Sequence, residues 1–179
     1  IQPLDFCDNP KPSDDSKLSK SLFSECETRN RTRLYHYLPS HEKGFNLIIK
    51  FMTFCLETKI IEPDNIEKID NAVILLHGYG GDGTDISMLT LNWKRFLKNT
   101  IFLCPNGHQR CSINPSGYQW FDLSIDDEKY ITAEAVKAEI ILNKFIEEVK
   151  KNYNILSSKI VLCGFSQGCM MAINIALTN

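Results

Sequence analysis

The sequence lacks several features that would mark particular classes of protein. Its seven cysteines include no C-x-x-C pair, and no positively charged start is followed by an apolar signal core. The longest apolar runs are about half of the length that spans a bilayer. The formal net charge is only −2, and the lysines and arginines are scattered. These absences disfavour a secreted disulfide scaffold, a transmembrane protein and a nucleic-acid-binding protein, and they favour a cytoplasmic location.

What is present is enough apolar sequence for one domain, since 43% of the 179 residues are hydrophobic. The first part of the chain differs from the rest. We expect a mobile surface segment over residues 8–21, which are polar and contain two prolines. Residues 21–44 are charged with sparse aromatics and predict at most one weak helix. Residues 45–62 are apolar and fit either a strand pair or a short helix.

From Asn71 onwards, buried strands alternate with helices. The sequences NAVILL, TIFLCPN and KIVLCG have the continuous apolar character of strands that are covered on both faces. Helical spacing follows the first two strands, and an apolar helix follows the third. The expected apolar stripes are Ile86, Leu89, Trp93, Phe96 and Leu97 in the first helix and Val136, Ile140, Phe145, Ile146 and Val149 in the second. The alternation predicts an α/β fold with a mostly parallel sheet and helices on both faces.

The third strand leads into the sequence Gly-Phe-Ser-Gln-Gly, with Ser166 at its centre. A serine hydroxyl is a poor nucleophile unless it is exposed, lies beside a base and faces donors for the developing negative charge. A sharp strand-to-helix turn between two glycines provides the exposure. Ser166 is therefore the candidate nucleophile. The backbone N–H of Gln167, at the start of the next helix, is the first candidate donor for an oxyanion.

A second donor is expected from the loop after an earlier strand. His77-Gly78-Tyr79-Gly80 follows the first buried strand. The Tyr79 backbone N–H is the candidate there, with an ordinary glycine turn between strand and helix as the alternative.

The sequences VILLHGYGGDGTDI, FLCPNGHQRCSINPSGYQWFDLS and KIVLCGFSQGCMMAINIALT together resemble the acyl-protein thioesterase and carboxylesterase family of α/β-hydrolases, also called the phospholipase/carboxylesterase group. The resemblance implies an α/β-hydrolase sheet, a serine esterase, and no metal or organic cofactor. It makes Ser166 the nucleophile and assigns the oxyanion hole to Tyr79 and Gln167. It also puts Trp120 in a loop near the substrate mouth. The implied substrates are small-molecule or lipid acyl esters or thioesters.

The resemblance covers residues 52–179, which we expect to be the N-terminal portion of an α/β-hydrolase domain truncated at its C-terminal end. Residues 1–51 are an atypical, partly disordered leader in this interpretation. The family order is Ser, Asp, His, and neither an Asp nor a His follows Ser166 in the sequence. The strand before Ser166 is then expected to be an exposed sheet edge. The alternative hypothesis is a catalytically inactive truncated gene product or binding module without the triad Asp and His.

Other candidate residues are given structural roles. Asp82 and Asp85 lack the ligand spacing of a metal loop, and Asp85 is expected to cap a helix. We expect His77 to fix its loop by hydrogen bonding rather than to act as the base. His108 is expected at the surface, and Met170 and Met171 are expected in the core.

Overall fold

The computed structural model describes residues 32–38 and 48–178. The segment expected to be mobile, residues 8–21, lies outside these ranges. The strands are β1 (Thr32–Leu38), β2 (Ile48–Phe54), β3 (Thr58–Ile61), β4 (Asn71–Leu76), β5 (Thr100–Pro105), β6 (Gln109–Arg110), β7 (Tyr118–Gln119) and β8 (Ile160–Gly164). The helices are α1 (Gly83–Ser87), α2 (Thr90–Trp93), α3 (Glu128–Tyr153) and α4 (Gln167–Thr178), with 3-10 turns at Ile66–Lys68 and Ser157–Lys159.

The main sheet has four strands in the order β3-β5-β4-β8. β4 is parallel to both β5 and β8, and β3 pairs antiparallel with β5. This is the mostly parallel sheet that the alternation of strands and helices predicts. The carboxyl ends of β4 and β8 lie side by side, because Leu76 pairs with Gly164. The loops that follow these two strands therefore start from the same edge of the sheet.

Helices cover both faces of this sheet. On one face, α3 and α4 enclose the larger apolar cluster with side chains such as Ile74, Leu103, Leu142 and Phe145. On the other face, a smaller cluster includes Phe102 and is covered by Ile86 and Trp93. In the described ranges, no helix combines the length and the apolar character needed to cross a bilayer.

Strand β8 lies at the edge of the sheet, as expected for the strand before Ser166. Within the part of the chain that the structure describes, β8 pairs only with β4, and Val161 is 53% exposed. The interpretation of KIVLCG as a fully buried strand is therefore wrong for several of its side chains.

Near the start of the chain, one prediction is corrected and one pair of alternatives is decided. The weak helix expected within residues 21–44 is not formed at Thr32–Leu38, which is a strand paired antiparallel with β2. Its two tyrosines, Tyr35 and Tyr37, are typical of strands. Of the two alternatives for residues 45–62, the described part forms strands, β2 and β3, and not a helix. The expected domain boundary at residue 52 falls inside β2. The division into a leader and a hydrolase portion stays a prediction.

The first predicted helix is broken into α1 and α2, and its stripe is only partly buried. Leu89 and Leu97 are more than two-fifths exposed, and Phe96 is 84% exposed. The N-cap of α1 is Asp82, whose carboxylate accepts the Asp85 N–H over 2.8 Å, so the expectation that Asp85 is the cap was wrong. The second predicted helix, α3, is confirmed, with Phe145 and Val149 buried and Val136 at 40% exposure.

Candidate active site

The sequence Gly164–Gly168 forms a sharp turn, here called the elbow, between β8 and α4. Ser166 lies at its tip with an exposed side chain and a φ of 51°. A residue with a Cβ in this left-handed region is strained by roughly 1–2 kcal/mol. Such strain is held only where surrounding contacts fix the backbone, and it is common at functional sites. The first turn of α4 supplies such contacts, since Cys169 and Met170 donate to the Ser166 carbonyl oxygen.

The two glycines of the elbow are required by close approach of main chain. A Cβ on Gly164 would lie 2.3 Å from the carbonyl carbon of Gly168. A Cβ on Gly168 would lie 2.2 Å from the carbonyl oxygen of Leu76, at the end of β4. Helix α4 therefore begins directly against β4, at a distance that no other residue type permits.

The loop of residues 77–81, here called the oxyanion loop, lies against the elbow. The Phe165 N–H donates to the Leu76 carbonyl oxygen over 3.0 Å. A Cβ built on Gly78 would lie 3.4 Å from the Cβ of Ser166 and 3.0 Å from the Phe165 ring. The structure thus brings Ser166 and the loop that contains Tyr79 into direct contact.

Two main-chain N–H groups are available at this junction. Among the described residues, neither the Tyr79 N–H nor the Gln167 N–H donates a hydrogen bond, whereas Gly80, Gly81 and Gly168 all do. The Gln167 N–H belongs to the first residue of α4, where the helix dipole favours negative charge. Free donors beside an exposed hydroxyl suit an anion that forms on an attacked carbonyl.

His77 is buried and fixes the oxyanion loop. Its Nε2 accepts the Gly107 N–H over 2.9 Å, so the ring proton is on Nδ1 and is donated to the Gly78 carbonyl oxygen over 2.7 Å. Burial lowers the pKa of His77, although the hydrogen bond to Gly78 acts in the opposite direction. The ring is neutral and fully engaged, as expected for a structural rather than a basic role.

Trp120 is only 1% exposed, which does not match a place at the substrate mouth. Its indole stacks on the His77 ring at 5.3 Å between centroids, and its Nε1–H donates to the His77 carbonyl oxygen over 2.9 Å. Trp120 therefore holds the first residue of the oxyanion loop in place.

The side chain of Gln167 is also buried, and sequence reasoning did not foresee its contacts. Its Oε1 accepts the Trp120 N–H over 2.9 Å, and its Nε2 donates to the Phe121 carbonyl oxygen over 2.6 Å. The amide thus ties the start of α4 to the segment after β7. The sequence did contain one signal for this contact. Gln167 is a polar residue at the start of an apolar helix, and a polar side chain that is buried there needs hydrogen-bond partners.

His108 is not the surface histidine that was expected. Both of its ring nitrogens are buried, and neither has a hydrogen-bond partner among the described residues. Burial lowers its pKa to about 4, against a smaller opposing effect of Glu134. Glu134 itself is 6% exposed and is held by Gln109 and Lys137.

The other side chains near the site, and the two methionines of α4, have no catalytic role in this arrangement. The Tyr79 hydroxyl contacts the Ser112 hydroxyl at 2.8 Å. The Cys104 thiol behaves as a small apolar group, because burial raises its pKa to about 12. Met171 is buried as expected, whereas Met170 is 59% exposed, so its assignment to the core was wrong. Among the described residues, no group of three or more His, Cys, Asp or Glu side chains is placed to hold a metal ion.

Comparison with known proteins identifies the family of the chain. Residues 57–179 match the family model described as Phospholipase/Carboxylesterase. An uncharacterized hydrolase of Schizosaccharomyces pombe is 32% identical over 114 residues, which cover 60% of this chain and 46% of the relative. Acyl-protein thioesterase 1 of the same yeast is 28% identical over 136 residues, covering 71% of this chain and 57% of the relative.

Among solved structures, esterase PE8 superposes with a TM-score of 0.64 at 33% sequence identity. The match covers 69% of this chain and 58% of that structure. The chain therefore spans about half the length of the curated relatives that it matches.

Proposed function

Because this chain belongs to the phospholipase/carboxylesterase family and has its α/β-hydrolase fold, we propose that Ser166 is the nucleophile of a carboxylic-ester or thioester hydrolase. The observation that carries the proposal is the strained, exposed Ser166 at the elbow, in contact with a loop that has a free main-chain N–H. Family membership supports the reaction class, and the geometry of the elbow supports the choice of Ser166.

The proposed reaction has two steps. The Ser166 hydroxyl oxygen attacks the acyl carbonyl, its proton passes to a general base, and the alcohol or thiol leaves with that proton. Water then attacks the acyl-serine ester, releases the carboxylic acid and restores the hydroxyl. In both steps the Tyr79 and Gln167 N–H groups hold the oxyanion, and loss of one such donor costs roughly 3 kcal/mol in comparable enzymes.

The general base in this proposal is not a histidine whose side chain the structure describes. Both ring nitrogens of His77 are occupied, and those of His108 are buried near Glu134. In this proposal a histidine and an aspartate of the full protein complete the triad, in the order Ser, Asp, His; the matched segments cover only 46% and 57% of the two yeast relatives. The substrates are small-molecule or lipid acyl esters or thioesters, and the reaction takes place in the cytoplasm without an added cofactor.

A fluorophosphonate probe tests the proposal, because it labels only a serine that is activated for attack. We expect the full natural protein that contains this chain to be labelled at Ser166 and to hydrolyse p-nitrophenyl acetate. Ser166→Ala abolishes both signals, whereas Ser157→Ala, a substitution in the 3-10 turn before β8, keeps them. A folded protein that is not labelled, or that is labelled equally in Ser166→Ala, refutes the assignment.

A further inference from the structure

A continuous set of hydrogen bonds joins the two loops that carry the candidate oxyanion donors. It starts at the Gln167 side chain, which bonds the main chain of Trp120 and Phe121. It continues through the Trp120 indole N–H to the His77 carbonyl oxygen. His77 immediately precedes Gly78, and Tyr79 follows. We call the side chains of Trp120 and Gln167 the bridge.

The bridge is rigid for physical reasons. Its two side chains are 1% and 2% exposed, so water does not compete for their hydrogen bonds. Both oxygen and nitrogen of the Gln167 amide are engaged, which fixes the orientation of the amide. The indole is fixed in addition by stacking on His77. A buried polar network whose groups are satisfied in this way holds one arrangement in preference to others.

The bridge also begins at the residue that carries one of the two donors. Gln167 offers its main-chain N–H to the site and its side chain to the bridge. The other end of the bridge is the His77 carbonyl, two residues before the Tyr79 N–H. The main-chain contacts between the loops include the hydrogen bond from Phe165 to Leu76 and the close approach of Gly168 to the Leu76 and His77 carbonyl oxygens. The bridge adds a second, side-chain connection between the same two loops.

We infer that Trp120 and the Gln167 side chain are positioning residues that hold the two oxyanion donors at the separation needed for the transition state. The inference rests on the proposed function. Neither side chain touches the reacting atoms in this scheme. Their effect is expected on the step in which charge develops, since small displacements of catalytic groups lower rates steeply.

The experiment uses the full natural protein with Trp120→Phe, which keeps an aromatic ring but removes the N–H donor. The second variant is Gln167→Met, which keeps the length of the side chain and its main-chain N–H. Rates of p-nitrophenyl acetate hydrolysis are divided by the number of active sites that a fluorophosphonate titrates, so unfolded protein does not count. We expect kcat to fall about 10- to 100-fold in each variant, with KM changed less than about twofold.

Two further measurements separate positioning from stability. An aryl trifluoromethyl ketone forms an oxyanion with Ser166, so its inhibition constant is expected to rise by the same factor as kcat/KM falls. The double variant is expected to lose little more than the worse single variant, because both substitutions interrupt one network. The control is Asn174→Ala, which removes the hydrogen bond from α4 to Glu139 and leaves the bridge intact. It is expected to lower Tm with kcat per site unchanged.

The outcomes are distinct. If the wild-type protein shows no Ser166-dependent hydrolysis, the proposed function fails. If the wild-type protein is active, and both bridge variants keep kcat per titrated site and inhibitor affinity while their Tm falls, the bridge is merely structural and the inference is overturned. Equal losses in the Asn174→Ala control also overturn it, because the effect would then follow stability alone.

Discussion

The main-chain N–H of Gly107 donates a hydrogen bond to Nε2 of His77 over 2.9 Å. The two residues lie 30 positions apart and connect the loop after β5 to the loop after β4. With Nε2 occupied as an acceptor and Nδ1–H donated to Gly78, the ring has no lone pair for the Ser166 proton. In the sequence this histidine lies two residues before Tyr79, the candidate oxyanion donor. In the structure its two hydrogen bonds hold the loop after β4 against the loop after β5.

The first prediction concerns His77. His77→Ala is expected to lower the free energy of unfolding by roughly 3 kcal/mol, because it removes two hydrogen bonds and leaves the buried Gly107 N–H unpaired. His77→Gln keeps one donor and one acceptor and is expected to lose less. Urea denaturation measures both values.

The His77→Gln variant also tests whether His77 is the general base. In the full natural protein, the acidic limb of the kcat/KM profile against pH is expected to keep its midpoint in His77→Gln, because the titrating base is another residue. Disappearance of that limb in His77→Gln, with the fold retained, contradicts the structural role of His77.

The second prediction is a loss of stability in acid caused by His108. Burial lowers the pKa of His108 to about 4 in the folded protein, against about 6.5 for an exposed histidine. The unfolded chain therefore binds more protons between these values, and stability falls as the pH is lowered. The contribution is fully present above about pH 6.5, and roughly 3 kcal/mol is lost by pH 4. The lowered pKa of His77 acts in the same direction.

Urea denaturation at several pH values between 7 and 4 measures this effect. His108→Leu is expected to flatten the dependence, because a residue with no proton to bind replaces the histidine. It is also expected to be more stable than the wild type at pH 5, since two unpaired buried nitrogens are removed. An equally steep dependence in His108→Leu would show that other groups cause the acid sensitivity.

Local sequence patterns were sufficient for the parts of the fold that depend on neighbouring residues. Continuous apolar runs predicted β4, β5 and β8, and the flanking glycines predicted the elbow, because both depend on a few adjacent residues. The broken helix over residues 85–98 was missed. The apolar residues do recur at helical spacing, but only some of them pack against the sheet, and Phe96 is exposed. Without packing along its whole apolar face, a continuous helix is not stabilised.

Local sequence patterns could not predict the bridge, because its contacts join residues that are far apart in the sequence. Gln167 and Trp120 are 47 positions apart, and Trp120 and His77 are 43 apart. Their contacts arise only when the segment after β7 folds between the oxyanion loop and α4. His108 was misplaced for a related reason, since its buried nitrogens lie near Glu134 on α3, a contact between distant parts of the chain. The sequence indicated that buried polar groups need partners, but it did not identify them.

The third prediction concerns the contact between α4 and β4. Gly168→Ala puts a Cβ 2.2 Å from the Leu76 carbonyl oxygen and 2.6 Å from that of His77. Neither main-chain group can rotate away, so α4 must shift, at a cost of roughly 3 kcal/mol or more. Gly81→Ala is the matched control, because its Cβ would meet no atom closer than 3.4 Å. Differential scanning calorimetry is expected to show a large fall in Tm for Gly168→Ala and a change of at most a few degrees for the control.

The fourth prediction uses the strain at Ser166. Ser166→Ala and Ser166→Gly both remove the hydroxyl, so a comparison of the two isolates the Cβ. At a φ of 51° the Cβ is unfavourable, and the glycine variant is expected to be more stable than the alanine variant by about 1 kcal/mol. The greater conformational entropy of glycine in the unfolded chain acts against this difference, but it is the smaller effect. Urea denaturation gives the difference.

Asn154 provides a matched site for this comparison away from the elbow. It has a φ of 54° at the carboxyl end of α3, where a left-handed residue commonly ends a helix. Asn154→Gly is expected to exceed Asn154→Ala in stability by a similar amount. If glycine is favoured at residue 154 but not at 166, the elbow carries no strain, and the argument that its contacts force Ser166 into an exposed, reactive position is wrong. If glycine is favoured at both, stability is given up at the residue proposed as the nucleophile, as is common where activity requires a strained conformation.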